Sequence, residues 1–186
     1  MNEEEKGRCG ALLAIEGSRT SPSSGADGPL YVPGRRCRYR PATADQIEEA
    51  ARQVVDQRMQ RGTSFKDPAT ARGYLHGKLA GLEREVFALI FLDTRHRLIA
   101  FAKLFPGTVD GAEVHPREVV RQALLHDAAA VIVAHNHPSG DVEPSAADRA
   151  VTLPLKQALA LVELRLLDHV IVGAPSSSAM AELGWA

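Results

Sequence analysis

The chain has 186 residues, with 22 Lys and Arg against 23 Asp and Glu, so its formal charge of −1 exerts no global pull towards nucleic acid or an anionic membrane. This length suits one domain with a sizeable core plus a tail, and no apolar run approaches the roughly 18 residues that span a bilayer. The acidic start MNEEEKGR is unlike a signal peptide and the two cysteines, Cys9 and Cys37, lack CxxC spacing, which points to a reduced, cytoplasmic setting.

Residues 1–40 contain GSRTSPSSGADGP and then RRCRYR, a composition too poor in apolar groups to offset chain entropy, and are expected to form a disordered tail. The arginines of that run read as a solvated flank, with phosphate contact as the alternative. An N-terminal helix is expected within 41–63: Thr43 and Gln46 have capping-box spacing, and Ile47, Ala50, Ala51, Val54 and Val55 follow at helical intervals up to a stop near Gly62. Residues 64–186 should form the main domain. Asp67-Pro68 signals its first helix, with Tyr74, Leu75 and Leu79 facing inward.

From Val86 to Leu92 the residues are apolar, TRHR intervenes, and LIAFAKLF resumes, which predicts a hairpin. Pro116 opens a helix with Val119, Val120, Ala123 and Leu124 as its stripe. Ala129 to Val133 predicts a buried strand running into His135. Ser145 is placed to cap the next helix, for which Ala158, Leu159, Leu161 and Val162 supply apolar contacts, while Pro154 should kink or divide it. LLDHVIVG reads as a closing strand. Strands alternating with helices that each need a face to cover predict a mixed α/β sandwich.

The chemistry concentrates in AHNHPSGDVEPSAADRA, residues 134–150. His135 and His137 are two apart at a strand end, where both imidazoles can converge, and the turn residues Pro138, Gly140 and Pro144 lead back to Asp148 in the first turn of a helix. Two imidazoles and one carboxylate form a three-ligand set for a divalent metal that leaves a position for water, the catalytic zinc pattern. The bland alternative is a pair of loop histidines and a helix-start carboxylate favoured by the macrodipole. The tripeptide His135-Asn136-His137 matches a nuclease class only in spelling.

His135-x-His137 followed by Ser145-x-x-Asp148, with a glutamate far upstream, resembles the JAMM (MPN+) metalloprotease signature. The strings REVFALIFLDTRHRLIA, HPREVVRQALLHDAAAVIVAHNHPSGD and LLDHVIVG are similar to the RadC family, over a span from about Ser64 to the C-terminus. The resemblance implies a JAB1/MPN (cytidine deaminase-like) fold, a curved mixed sheet sandwiched by helices. It also implies zinc held by His135, His137 and Asp148, Glu85 as general acid/base, and Ser145 as an oxyanion donor. Ser145 as the cap of its helix is the competing role. Glu85 stands at the mouth of the strand VFALIFLD, 50 residues before His135, while Glu83, Glu113 and Glu143 are expected to be bystanders.

The leading expectation is a zinc metallopeptidase or isopeptidase acting on a peptide or protein. The alternatives are a metal-dependent nucleic-acid-processing or DNA-repair-associated protein and a non-catalytic interaction module. His115 reads as a turn residue, and His169 as a core histidine or a partner that orients a ligand. Ser176, Ser177 and Ser178 read as loop, and Arg117, Glu118, Arg121 and Lys156 as solvated.

Overall fold

The computed structural model describes residues 30–33, 39–58, 61–107 and 113–185. The chain divides into two compact units, Met1–Gln53 and Val54–Ala186. In the first, β1 (Tyr31–Pro33) pairs antiparallel with β2 (Tyr39–Pro41), where the sequence predicted irregular tail. The remainder of the expected tail, 1–29 and 34–38, lies outside the described residues and includes Arg35, Arg36 and Arg38. Helix α1 (Ala44–Arg58) starts as read from sequence: Thr43 N–H donates to Gln46 Oε1 at 3.1 Å, and Gln46 N–H to Thr43 Oγ1 at 3.3 Å.

In the second unit, α2 (Pro68–Leu79) is capped by Asp67, whose carboxylate accepts from the N–H groups of Ala69 and Thr70. Then follow β3 (Val86–Leu92), β4 (Leu98–Pro106), α3 (Pro116–Leu125), β5 (Ala130–Asn136), α4 (Ala146–Ala160), β6 (Arg165–Val172) and β7 (Ser177–Ala179). The sheet order is β4-β3-β5-β6-β7; only β5 and β6 are parallel, joined by α4.

Strand period sorts the core into two faces. Ala88, Ile90 and Leu92 of β3 and Ala130, Ile132 and Ala134 of β5 face one cluster with Tyr74, Leu75 and Leu79 of α2. Phe87, Leu89 and Phe91 with Val131 and Val133 face the other, covered by Val119 and Ala123 of α3 and Leu155 and Leu159 of α4. The sheet is thus sandwiched between α2 and the α3–α4 pair, and each fully buried Leu, Ile or Phe contributes about 1.5–3 kcal/mol. Register shifts at Phe87/Ala88, Phe91/Leu92 and Val131/Ile132 interrupt the ladders.

Four expectations are corrected. Leu124 is 52 % exposed, because α3 presents Val119, Ala123 and, in part, Val120 to the sheet and Leu124 lies off that face. Leu161 is 87 % exposed and Val162 37 %, since α4 ends at Ala160 and its buried face runs through Thr152, Leu155 and Leu159. Pro154 does not divide α4; its exposed position leaves the Ala150 carbonyl it cannot bond facing water. Ser177 and Ser178 form β7 on the β6 edge rather than loop. No helix among the described residues is long and apolar enough to cross a membrane.

Candidate metal centre

The alternation that sends Val131 and Val133 to the α3–α4 side sends His135 there too, opposite Phe87 in the β3 ladder and 2 % exposed. His137 lies one residue past the strand, where its N–H donates to Val172 O at 2.8 Å and prolongs the β5–β6 pairing. A turn closed by Gly140 N–H to His137 O, with Gly140 at φ 84, reverses the chain. The loop packs back on β6: a Cβ on Gly173 would stand 2.5 Å from Gly140 O. Buried Pro144 then delivers Ser145 to the cap of α4.

His135 Nε2 and His137 Nε2 are 2.8 Å apart, and Asp148 Oδ1 is 3.0 Å from His135 Nε2. The ligand atoms of these three residues all lie within 4.8 Å of one another. Hydrogen bonds around the cluster decide which lone pairs are free. His137 Nδ1 is 2.7 Å from Asp141 O, a carbonyl that only accepts, so Nδ1 carries the proton and Nε2 is left with its lone pair. Asp148 Oδ2 accepts from Ser145 N–H at 2.7 Å and Ser145 O–H at 2.6 Å, leaving Oδ1 for the cluster. Burial alone would raise the Asp148 pKa, but the adjacent His135 ring and the hydrogen bonds from Ser145 outweigh it and hold the carboxyl far below the ordinary range. An anionic oxygen and imidazole nitrogens at these separations can share one cation, and the residues present fit a divalent metal.

Ser145 has one hydroxyl proton, and the structure commits it to Asp148 while the oxygen accepts from Asp148 N–H at 3.1 Å. Donation to a developing oxyanion requires that bond to open. Behind the cluster, His169 (1 % exposed) places Nε2 2.8 Å from His135 Nδ1, and its Nδ1 2.6 Å from Thr152 Oγ1. Loss of solvation on burial pushes the His169 pKa down to about 3, so this imidazole is neutral. Both readings for His169 fit this geometry: it is a core histidine held by hydrogen bonds, and one of them reaches His135.

A cavity of about 260 Å³ opens on the cluster and is lined by Glu85, His135, His137, Ser145 and Asp148, with Phe87, Val114 and Val151 as apolar walls. Glu85 is half-buried there, one residue before β3. Glu83 lines a different cavity, with Asn136 and Gly173; Glu113 and Glu143 are exposed and line neither. His115 occupies the N-cap position of α3 without a side-chain cap bond.

Sequence reasoning passed over Asn136. It is 2 % exposed, accepts from Val86 N–H at 2.9 Å, and donates to Arg84 O at 3.0 Å and Leu82 O at 3.3 Å. Val86 lies just past the last β3–β5 pair, Phe87↔His135, so the Asn136 amide continues the ladder and braces the segment carrying Glu85. Thr152 and Asp168 were passed over as well. Asp168 Oδ1 accepts from His169 N–H and Ala181 N–H, tying the segment after β7 to β6. The signal available for each was a polar residue on an otherwise buried strand or helix face.

A family model described as "RadC-like JAB domain" matches residues 65–185. A "UPF0758 protein" of Vibrio cholerae serotype O1 is 58 % identical over 139 residues, 75 % of this chain and 87 % of the relative. A "UPF0758 protein" of Xanthomonas campestris pv. campestris is 52 % identical over 157 residues, 84 % of this chain and 68 % of the relative.

Proposed function

The chain belongs to the RadC-like JAB domain family, and on that premise we propose that it is a zinc metallopeptidase or isopeptidase hydrolysing an amide bond in a peptide or protein. The observation that carries this reading is one cavity lined by His135, His137, Asp148 and Glu85. Such a set joins three candidate ligands to one carboxylate that is not among them.

A bound zinc ion supplies Lewis acidity, which polarises a carbonyl and makes water nucleophilic near neutral pH. The side chains supply the rest. His135 Nε2, His137 Nε2 and Asp148 Oδ1 are the atoms that would hold the ion. Glu85 takes the proton from the attacking water and returns it to the leaving amine, a role worth about 10²–10⁴-fold in rate. Phe87, Val114 and Val151 exclude bulk water from the reacting atoms. A cavity of about 260 Å³ accommodates the residues flanking a scissile bond, so the remainder of a protein substrate lies outside it.

The test has two parts. Zinc content is measured in the wild type and in His135→Ala, His137→Ala, Asp148→Ala and Glu85→Gln; the first three should lose the metal and the last retain it. An unbiased proteomic cleavage screen then compares wild type with Glu85→Gln. Equal zinc in all five proteins, or identical cleavage by wild type and Glu85→Gln, refutes the reading.

A further inference from the structure

We propose that Thr152 and His169 are positioning residues that set the tautomer of His135, leaving its Nε2 lone pair aimed into the cluster and thereby tightening metal binding. The inference rests on the metal reading above and concerns groups outside the proposed ligand set.

The geometry has a fixed polarity. Thr152 Oγ1 is 2.6 Å from Asp148 O, and a backbone carbonyl only accepts, so the single hydroxyl proton of Thr152 points there in preference to the weaker acceptor Met180 Sδ at 3.6 Å. Thr152 Oγ1 is also 2.6 Å from His169 Nδ1. With its own proton spent, the oxygen can only accept, which places the His169 proton on Nδ1. His169 Nε2 is then a bare acceptor 2.8 Å from His135 Nδ1, which in turn must carry the His135 proton. That leaves Nε2 of His135 unprotonated at 2.8 Å from His137 Nε2 and 3.0 Å from Asp148 Oδ1. Each step follows from the one before, and the chain is anchored at a carbonyl whose role cannot change.

The surroundings hold this order. Thr152, His169 and His135 are 1 %, 1 % and 2 % exposed, so water is not at hand to substitute for a lost partner. Phe87 packs edge-on against His169 with ring centroids 5.6 Å apart, restricting the ring that links Thr152 to His135. The carbonyl at the far end belongs to Asp148, the residue whose carboxylate is the third candidate ligand. One turn of α4 therefore both presents a ligand and dictates the protonation of another.

Thr152→Val keeps the shape and removes the acceptor. His169 is then free to carry its proton on Nε2 and donate to His135 Nδ1, which moves the His135 proton to the atom the metal needs. Loss of a partner of this kind weakens metal affinity about 10–100-fold.

The experiment uses the full chain and zinc alone as the probe. Zinc dissociation constants are measured by competition with a chromophoric chelator for wild type, Thr152→Val and Thr152→Ser, with thermal melts confirming that each is folded. The proton on His169 is located by ¹⁵N NMR of the zinc-loaded wild type. The expected result is a 10–100-fold weaker constant for Thr152→Val, near-wild-type affinity for Thr152→Ser, and a proton on Nδ1 of His169. Zinc bound equally by wild type and Thr152→Val, or a His169 proton on Nε2, overturns the inference and leaves the metal reading standing. No zinc uptake by the wild type overturns both. If Thr152→Val does not fold, the NMR result on the wild type decides alone.

Discussion

Replacing Asn136 by Leu keeps a similar volume and deletes the three hydrogen bonds by which its side chain braces the segment before β3. The Val86 N–H loses its acceptor next to a buried strand, at a cost of about 1–3 kcal/mol for an unsatisfied donor. The Leu82 and Arg84 carbonyls lose a donor too, but Leu82 is half-buried and Arg84 exposed, so water replaces much of that loss. Allowing for apolar burial by the new side chain, the net destabilisation is about 1–2 kcal/mol, or roughly 2–8 °C in Tm for a domain of this size. Hydrogen exchange supplies the decisive assay, because the effect should be local: the Val86 amide and its neighbours from 82 to 87 should lose protection, while the amides of β6 keep theirs. Zinc content should stay at the wild-type level, because the Asn136 side chain is not among the candidate ligand atoms. Unchanged protection at Val86, or a melt within about 1 °C of wild type, refutes the bracing role.

Three further outcomes follow from particular contacts. Asp168 has its pKa raised by burial, so it contributes stability that is complete below its ordinary value of 3.8 and is lost as pH rises through the folded value. Asp168→Asn keeps an Oδ1 acceptor for both N–H donors and removes the buried charge, and should melt higher than wild type at pH 7–8 with the gap closing by about pH 4; a gap that persists under acid refutes the assignment. Gly173→Ala should lower Tm and weaken zinc binding, because the new methyl meets Gly140 O at 2.5 Å and pushes the loop between His137 and Ser145; wild-type values in both measurements refute it. Pro154→Ala restores a backbone donor in an exposed stretch of α4 and should stabilise by about 1–3 kcal/mol in a denaturant titration, with no gain refuting that account.

The long elements were legible because their signals are local. The Thr43–Gln46 box, Asp67-Pro68 and Ser145 all mark helix starts found in the structure, and the apolar run from Val86 announces β3. The three-residue strands carry no such signal: β7 exists because the β6 edge offers it partners, and nothing in Ser177-Ser178-Ala179 alone favours extension. Leu124 and Leu161 were misread because helical spacing shows which residues share a stripe but not where the neighbouring layer stops. The convergence of His135, His137 and Asp148 could be read from spacing, since a strand end, a turn and a capped helix bring them back together. Asn136, Thr152 and His169 could not be assigned their contacts in the same way. Their partners are 50, 17 and 34 residues away and become neighbours only through sheet register and helix packing.

The candidate ligands and Glu85 are tied to the fold by separate means. His135, His137 and Asp148 fall within 14 consecutive residues, whereas Glu85 reaches them through the register that sets Phe87 opposite His135 and through the Asn136 brace on its segment. A two-residue slip of β3 preserves which side chains face each layer, yet carries Glu85 about 7 Å along the strand. Under the proposed function, ion capture and turnover are therefore separable traits under mutation. On that reading, a lineage that alters only residues 81–86 would discard hydrolysis and retain a metal-binding scaffold, and a survey scoring relatives by ion content alone would count such descendants as working enzymes.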